Sequence, residues 1–220
     1  MNDILERLRA VDTCAVSDAL DRHGLRGVVT GLRSLAADRS FAGRAVTVRL
    51  GPPTMGDNLP KRHLGTAAVD ASGPGQVIVV DHQGRTDCAG WGGLLARAAA
   101  SRGIEGVIVD GAARDLAEAA QAGLPVHARI STPVTARTRA TEQAWGEPVA
   151  LDGLEVMPGD LVLADSGGVV VVPVDRAEEI VATAERIAVT EAAMARAIDA
   201  GTPVSEVMSK TYEELTDADH

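Results

Sequence analysis

The chain has 220 residues, which is enough for one large domain or two small ones with a substantial hydrophobic core. It carries 21 Lys and Arg against 31 Asp and Glu, and the resulting formal charge of -10 argues against nucleic acid or an anionic membrane surface as the main partner. Only 2% of the residues are aromatic, so a platform on which RNA bases could stack is also excluded.

The cysteines and the N-terminal segment bear on where the protein resides. Cys14 and Cys88 lie far apart without a C-x-x-C partner, which argues against a disulfide framework and against a zinc knuckle. The first ten residues mix charged and apolar side chains and lack a signal-peptide core, and no apolar run reaches the length of a transmembrane helix. We therefore expect a soluble, cytoplasmic protein.

The first half of the chain alternates predicted helices and strands. Helices are expected over Asp3 to Ala10 and Thr13 to Arg22, the second capped by Asp12 or Thr13 and stopped by Gly24. Strands are expected over Ala45 to Leu50 and Gln76 to Asp81, and the latter is apolar enough to be buried on both faces. Between them, Gly56 to Asn58 introduce a predicted helix that is interrupted near Pro60.

In the second half of the chain, helices and strands are predicted to alternate further and are then followed by consecutive short strands. The predicted elements are a helix from Leu94, a strand at Val107 to Val109, a helix over Leu116 to Ala122 and a strand at Pro125 to Ala128. A β-meander over Pro148 to Pro173 follows them. One long helix covers Asp175 to Ala200, and an acidic tail over 205–220 is expected to fray. These elements predict a single α/β domain over residues 1–220, with a mixed sheet and a long C-terminal helix.

The stretch from Ala89 to Asp115 combines a glycine-rich turn, a helix, a short strand and a charged loop. Gly90, Gly92 and Gly93 come just before the helix, where free backbone amides at the positive end of the helix dipole could receive an anion. A tight turn that permits close packing of helix and strand explains the same glycines equally well. Asp110 and Gly111 also allow two interpretations: they form a turn, or Asp110 supplies a carboxylate that supports the residues of the site.

Arg114 and Asp115 follow the strand directly, and two interpretations of them are available. Asp115 would be a hard oxygen ligand for Mg²⁺, and Arg114 a fork-shaped donor for a carboxylate or a developing enolate. Alternatively, Asp115 caps the helix that begins at Leu116 and Arg114 makes a surface ion pair. The residues alone favour the second interpretation.

Other kinds of chemistry find less support in the sequence. The five histidines have no zinc-ligand spacing, and neither Ser17 nor Ser166 lies in a G-x-S-x-G elbow. Lys61 and Lys210 are the only lysines, and neither lies in an apolar run that would prepare it for Schiff-base formation. Metal-assisted chemistry therefore ranks above covalent catalysis.

Five segments together resemble the RraA-like family, which includes class II pyruvate aldolases acting on 4-hydroxy-4-methyl-2-oxoglutarate and 4-carboxy-4-hydroxy-2-oxoadipate, and the ribonuclease E inhibitor RraA. They occur in order over nearly the whole chain: VSDAL (16–20), AGRAVTV (42–48), GDNL (56–59), WGGLLARAAASRGIEGVIVDGAARD (91–115) and GDLVLADSGGVVVVP (159–173). The resemblance implies a swivelling β/β/α sandwich, assembled as a homotrimer or as a homohexamer of two trimers with sites between subunits.

The resemblance also implies roles for individual residues and reverses the preference for a helix cap. Arg114 would contact the pyruvyl group, and Asp115 would ligate a divalent metal, Mg²⁺ or Mn²⁺. Amides of the glycine turn would hold the pyruvate carboxylate, and Glu191 of a neighbouring subunit would bind the metal through water. The substrate-binding set is then Gly92, Gly93, Leu94, Leu95 and Arg114.

One position departs from the aldolase pattern. The aldolases carry an aspartate in the arrangement D-x20-R-D, and the corresponding residue here is Gly93. Asp87, Asp110 or Glu191 are candidates to compensate for it. The resemblance implies a metal-dependent lyase that releases pyruvate from a 4-hydroxy-2-oxo acid or decarboxylates oxaloacetate. The alternatives are a non-catalytic ribonuclease-binding regulator and a family enzyme that acts on another small oxyacid.

Overall fold

The computed structural model describes residues 3–53 and 63–208. The helix predicted near Gly56 and Pro60, both lysines and most of the acidic tail lie outside these residues. Seven α-helices are present in the described part: α1 (Asp3–Arg9), α2 (Thr13–Arg22), α3 (Thr66–Ala71), α4 (Gly93–Ser101), α5 (Leu116–Gln121), α6 (Ala177–Asp199) and α7 (Val204–Val207). A 3₁₀ turn over Val174–Arg176 leads into α6.

Eleven strands complete the described part: β1 (Val28–Val29), β2 (Arg33–Ala36), β3 (Phe41–Gly51), β4 (Gln76–Trp91), β5 (Gly106–Ala113), β6 (Val126–Ser131), β7 (Thr141–Trp145), β8 (Val149–Leu151), β9 (Leu154–Val156), β10 (Leu161–Asp165) and β11 (Gly168–Val172). Nine of them form one sheet in the order β1-β11-β10-β3-β4-β5-β6-β2, with β7 paired to β3. Strands β3 to β6 are parallel and their other neighbours antiparallel, which confirms the mixed sheet.

The parallel strands form the centre of the molecule because their side chains are apolar on both faces. Residues Val77 to Val80 of β4 and Val107 to Val109 of β5 are all fully or almost fully buried. Helices α3, α4 and α5 contribute to one core cluster with these strands, whereas α1, α2 and α6 pack into a second cluster around β10 and β11. This division separates the long C-terminal helix from the helices that follow β4 and β5.

Local signals account for the helix ends. Asp12, one of the two caps expected from the sequence, is the N-cap of α2, and its carboxylate accepts a hydrogen bond from the Ala15 amide at 2.8 Å. The predicted long helix is observed as α6, and Gly201 follows it in the left-handed region at φ 93°. Along α6, Glu185 accepts two hydrogen bonds from Arg7 of α1.

Two predictions about the strands were wrong. Residues 148–173 do form successive strands, but they are not one meander, because β8 and β9 pair only with each other and β10 and β11 join the main sheet. Strand β4 does not end at Asp81. It continues to Trp91 through an irregular section in which Gln83 and Gly84 have positive φ, and its register with β5 shifts there.

Three short strands of the main sheet were not predicted. β2, β7 and β1 carry few apolar residues or are only two residues long, and each pairs along one side only. Hydrogen bonding to a neighbouring strand, rather than a hydrophobic period, places them in the sheet. Among the described helices, none has the length and hydropathy needed to span a membrane.

Candidate functional site

The ends of β4 and β5 bring two distant parts of the sequence together. The strands are parallel neighbours, so their carboxyl ends lie at the same edge of the sheet, and Trp91 is in register with Ala113. The Arg114 amide donates a hydrogen bond to the Trp91 carbonyl at 3.0 Å. The glycines after β4 and the Arg-Asp pair after β5 therefore meet, as the sequence suggested for the stretch from Ala89 to Asp115.

Asp115 occupies the N-cap position of α5 but does not cap that helix with its side chain. Its backbone is in the left-handed region at φ 55°, which Asp tolerates better than most residues. Its Oδ2 atom accepts hydrogen bonds from Arg114 Nε at 2.9 Å and from the Gly93 amide at 3.3 Å. The predicted side-chain cap is absent, because the carboxylate faces the start of α4. The surface ion pair expected for Arg114 is present, and its partner is Asp115.

The N-terminus of α4 presents backbone amides beside this pair. Gly92 is the N-cap with extended backbone, and the helix begins at Gly93 rather than at the predicted Leu94. In the described part of the chain, the Leu94 and Leu95 amides have no hydrogen-bond acceptor, as is usual in the first turn of a helix. Together with the helix dipole, these two amides can receive a carboxylate.

The glycines there permit close packing, as one of the two interpretations expected, and the binding of an anion by their amides stays a prediction. Gly90 is part of β4 rather than of a turn, and a Cβ atom at that position would lie 3.0 Å from the buried His82 ring. A Cβ atom on Gly92 would lie 3.3 Å from both Arg114 Cγ and Asp115 Oδ2. The lack of side chains at these positions lets the Arg-Asp pair approach the helix terminus.

Arg114 retains hydrogen-bonding capacity after pairing with Asp115. The two side chains are each 35% exposed, and the ion pair uses only Nε of the guanidinium. No hydrogen bond from either Nη atom to another described residue is present. The terminal nitrogens can therefore bind an oxygen-rich molecule that approaches from solvent.

Glu118 is a further acidic residue at this place, and the sequence analysis did not identify it. It lies in the first turn of α5, and the end of its side chain occupies the space beside Gly93: an added Cβ atom there would overlap Oε2 and lie 2.8 Å from Cδ. The sequence feature that could have identified Glu118 is its position three residues after the N-cap Asp115, because this spacing places an acidic residue in the first turn of the helix.

The donors at this place suit a hard divalent cation. Carboxylate oxygens of Asp115 and Glu118 are the ligand type that Mg²⁺ and Mn²⁺ prefer, and Mg²⁺ usually retains several waters when one or two carboxylates bind it. Among the described residues of one protomer, no group of three His, Cys, Asp or Glu side chains is arranged to hold a metal. A divalent cation bound here would therefore have few protein ligands from one protomer, and water or substrate would complete its coordination.

The other acidic candidates lie elsewhere in the protomer. Asp87 is exposed and paired with Arg85, and Asp110 is buried within β5, where it accepts hydrogen bonds from Arg129 and from the Asp152 amide. Asp110 therefore neither forms a turn nor contacts the Arg114-Asp115 pair.

Glu191 lies on α6, which packs against α2. The Glu191 side chain is exposed, but desolvation by the neighbouring residues raises the pKa of its carboxyl, and the nearby Asp12 and Asp18 raise it further. Within one protomer these α2 carboxylates are its charged neighbours, so its predicted place at a site with Asp115 depends on a neighbouring subunit and stays a prediction.

Comparison with known proteins finds similar chains over most of the sequence. The chain is 32% identical over 196 residues to a protein of Halalkalibacterium halodurans with the provisional name 4-hydroxy-4-methyl-2-oxoglutarate aldolase, covering 89% of each chain. It is also 30% identical over 212 residues to protein DlpA of Legionella pneumophila, and this match covers 94% of the chain but spans only 33% of the Legionella protein.

Solved structures show the same fold. An uncharacterised protein of Pseudomonas syringae superimposes with a TM-score of 0.84 at 31% identity, covering 94% of this chain and 97% of that one. RraAS2 of Streptomyces coelicolor, described as an unusual member of the RNase ES inhibitor RraA family, gives 0.76 at 30% identity and covers 84% and 92%. The family model described as Aldolase/RraA matches residues 13–171. The chain belongs to the RraA-like family.

Proposed function

We propose that the protein is a divalent-metal-dependent lyase that cleaves a 4-hydroxy-2-oxo acid into pyruvate and a second carbonyl compound. The observation that carries this proposal is the orientation of Asp115, whose carboxylate is turned from its own helix toward Arg114 and the start of α4. Relatives that carry the provisional name 4-hydroxy-4-methyl-2-oxoglutarate aldolase support the choice of reaction.

The residues have distinct tasks in this reaction. Cleavage breaks the bond between C3 and C4, a base takes the proton of the C4 hydroxyl as C4 becomes the carbonyl of the second product, and the bonding electrons form the enolate of pyruvate. Protonation of that enolate at C3 then gives pyruvate. Amides of Leu94 and Leu95 bind the carboxylate at C1, which fixes the orientation of the 2-oxo acid. The Arg114 guanidinium faces the oxygen on which negative charge develops and stabilises it.

A divalent cation held at Asp115 would supply Lewis acidity toward the same oxygen atoms. Arg114 holds the Asp115 carboxylate by Nε and leaves its Nη atoms for the substrate, so the same side chain serves both partners. The pyruvate enolate formed by decarboxylation of oxaloacetate has the same charge distribution. Oxaloacetate is therefore expected to be a second substrate.

The test measures pyruvate release from 4-hydroxy-4-methyl-2-oxoglutarate and from oxaloacetate, with Mg²⁺ or Mn²⁺ and again with EDTA. Turnover that requires the metal and is lost in Asp115→Asn supports the proposal. Asp87→Asn is the matched control, because Asp87 is an exposed aspartate paired with Arg85 away from this site. Absence of pyruvate from both substrates in the presence of metal would contradict a pyruvate lyase.

A ribonuclease-binding regulator is the second candidate, and the similarity to RraAS2 is the observation that favours it. Such a protein would bind a ribonuclease of the E type through its surface and would not need the Arg-Asp pair. Inhibition of RNase E cleavage that is unchanged in Asp115→Asn would identify this function. Inhibition by wild type is not expected if the lyase is the only activity.

A further inference from the structure

Strand β4 takes a much longer path than β5 on its way to the candidate site. It uses ten residues from Asp81 to Trp91, whereas β5 uses three between their partners in register, Asp110 and Ala113. The additional residues, 82–88, form an excursion of β4. Beyond this excursion β4 returns to β5, and its last residues lead into the site.

The side chain of His82 closes the excursion at its base. This first residue of the excursion donates a hydrogen bond from Nε2 to the carbonyl oxygen of the last one, Cys88, at 2.9 Å. A carbonyl oxygen can only accept, so Nε2 carries the proton and Nδ1 is the unprotonated ring nitrogen. The bond therefore holds together the outgoing and the returning part of the same strand.

The imidazole ring lies between β5 and the returning part of β4. It is fully buried, and a Cβ atom added to Gly90 of β4 would lie 3.0 Å from its Cγ atom. A Cβ atom added to Gly111 of β5 would lie 2.7 Å from its Cδ2 atom. Just beyond Gly90, the Trp91 carbonyl accepts the Arg114 amide at 3.0 Å. A displacement of the ring therefore acts on backbone that leads directly into the site.

The charged groups around the ring have other partners. Arg85 and Asp87 of the excursion pair with each other, and Asp81 accepts hydrogen bonds from two backbone amides. On β5, Asp110 is paired with Arg129 of β6. Nδ1 of the imidazole has no hydrogen-bond partner in the part of the chain that the structure describes. These surroundings suit a neutral ring and not an imidazolium.

Protonation of the ring is correspondingly unfavourable while the excursion is closed. Burial lowers the pKa of the His82 imidazole below 6.5, and Arg85 lowers it further, against smaller opposing effects of Asp87 and Asp81. The Cys88 thiol lies 3.8 Å from Nε2 but is no counterion, because burial raises its pKa and keeps it neutral. A proton taken up at Nδ1 would create a buried charge without an acceptor, and opening of the excursion would expose that charge to water.

We propose that His82 is a positioning residue for the site: its neutral ring holds the two ends of the β4 excursion together, and its protonation in mild acid opens the excursion locally. The hydrogen bond between Arg114 and Trp91 is then lost before the protein unfolds globally. The inference rests on the proposed function in that it takes Arg114 and Asp115 as the site, but the closure itself is measurable without turnover. The competing explanation is that His82 only fills space in the core.

Hydrogen exchange followed by mass spectrometry tests the closure in the full chain. Peptides that cover residues 82–95 and 111–116 report on the excursion and the site. After correction for the intrinsic pH dependence of exchange, their opening equilibrium should rise about 10-fold from pH 7.5 to pH 5.5, because the opened state binds one additional proton with a pKa near 6.5. Global unfolding would instead take up protons at both buried histidines, His82 and His127.

Two glutamine variants separate these cases. His82→Gln keeps an amide that can donate to the Cys88 carbonyl but does not titrate, so it should exchange as wild type at pH 7.5 and lose the rise at pH 5.5. His127→Gln is the matched control, because His127 is equally buried and also uses Nε2 with a backbone carbonyl, but lies on β6 in register with Ile108. It should keep the full rise in residues 82–95 and 111–116.

Removal of the donor tests the consequence for the site. His82→Leu should increase exchange of the same segments at pH 7.5 as well as at pH 5.5, because the bond to Cys88 is missing at both pH values. Its kcat for pyruvate release should fall roughly 10-fold or more, since a small displacement of Arg114 costs much of the benefit of orientation. His82→Gln should restore kcat to within about 3-fold of wild type, because it restores the donated hydrogen bond.

The outcomes separate the closure from the proposed lyase. A rise that persists in His82→Gln, or that His127→Gln removes equally, would overturn the inference, because opening would then be independent of the closure or global. An unchanged kcat in a folded His82→Leu protein would also overturn it. No pyruvate release by the wild-type protein would contradict the lyase and leave the closure to the exchange data. A rise that depends on His82 alone, with reduced turnover in His82→Leu, supports both.

Discussion

The Asp115 carboxylate accepts a hydrogen bond from the Gly93 amide, 22 residues earlier in the chain, and none from the amides of its own helix. Its orientation therefore depends on the pairing of β4 with β5, which brings Gly93 and Asp115 to one edge of the sheet. A residue held in this way is available for chemistry without being required for the helix that it precedes.

Asp115→Asn should therefore separate function from stability. The Asn side chain also adopts the left-handed backbone region, and no side-chain cap is lost, so the free energy of unfolding should change by no more than about 0.5 kcal/mol. Mn²⁺ affinity and pyruvate release should each fall at least roughly 100-fold, because a direct ligand is removed. Urea denaturation and EPR titration measure the two effects, and a variant that binds Mn²⁺ normally would exclude Asp115 as a ligand.

Arg114→Lys should impair turnover more than metal binding. Lysine keeps the positive charge but lacks the planar fork that serves Asp115 and the substrate together. We expect kcat for pyruvate release to fall roughly 100-fold, which is the usual effect of losing a donor to a developing oxyanion. Steady-state kinetics at saturating Mn²⁺ measure this, and an unchanged kcat would mean that the guanidinium fork is not needed in the transition state.

The ion pair between Arg7 and Glu185 should contribute modestly to stability, with a defined pH dependence. Hydrogen bonds from Arg7 lower the pKa of the Glu185 carboxyl below its usual 4.5. The contribution is therefore present above pH 4.5 and is lost as the pH falls through the lowered pKa of the folded state.

Because the two side chains are 26% and 37% exposed, solvent screens this pair, and Glu185→Gln should cost only about 0.5 to 1 kcal/mol at pH 7. Urea denaturation at pH 7 and pH 3 measures the difference. Glu155→Gln is the control, because Glu155 is an exposed glutamate on β9 with no side-chain partner among the described residues. An equal cost of Glu185→Gln at both pH values would show that packing rather than charge is responsible.

Two buried histidines should make the protein less stable in mild acid. The rings of His82 and His127 use Nε2 with the carbonyl oxygens of Cys88 and Asp165, and neither Nδ1 atom has a partner among the described residues. Burial lowers the pKa of both imidazoles below 6.5.

The unfolded chain therefore binds more protons than the folded one as the pH falls below 6.5, and stability is lost over that range. For each histidine the loss is at most about 1.4 kcal/mol per pH unit. Urea denaturation at pH 7.5 and pH 5 should show this loss, and His127→Gln should reduce it. A pH dependence identical to wild type in His127→Gln would contradict the assignment.

The predicted role of Glu191 requires a second subunit, and a mixing experiment tests it. Asp115→Asn and Glu191→Gln should each be inactive alone. If the site is shared between adjacent subunits of a cyclic oligomer, random mixing after dissociation restores both residues at roughly a quarter of the sites. Pyruvate release by the mixture, compared with each variant alone, measures this, and no recovery in a mixture shown to contain hybrid oligomers would exclude the shared site.

Much of the central fold follows from sequence patterns that have a direct physical cause. The valine and isoleucine runs at Val77 to Val80 and Val107 to Val109 predict strands buried on both faces, and Asp12 predicts the start of α2. The edge strands could not be predicted in this way, since Thr141 to Trp145 has no buried face and depends on pairing with β3. Local patterns report burial, whereas strand pairing is a property of the assembled sheet.

The candidate site was predictable only in part for the same reason. The adjacency of Arg114 and Asp115 is visible in the sequence, but the direction of the Asp115 carboxylate is set by β4, far away in the chain. Glu118 was missed because its carboxylate reaches the site across the gap between two helices. When a side chain reaches a site from another helix and belongs to no sequence motif, only its position within its own helix can indicate it in the sequence.

The small size of Gly93 has a consequence for how related proteins are compared. When sequences are aligned column by column, a glycine in place of an aspartate is scored as the loss of an acidic group. In the folded chain the volume beside that glycine is filled by an acidic group from another helix. A column-by-column comparison therefore counts this helix terminus as less acidic than it is in the folded chain, where the acidic group comes from a different helix.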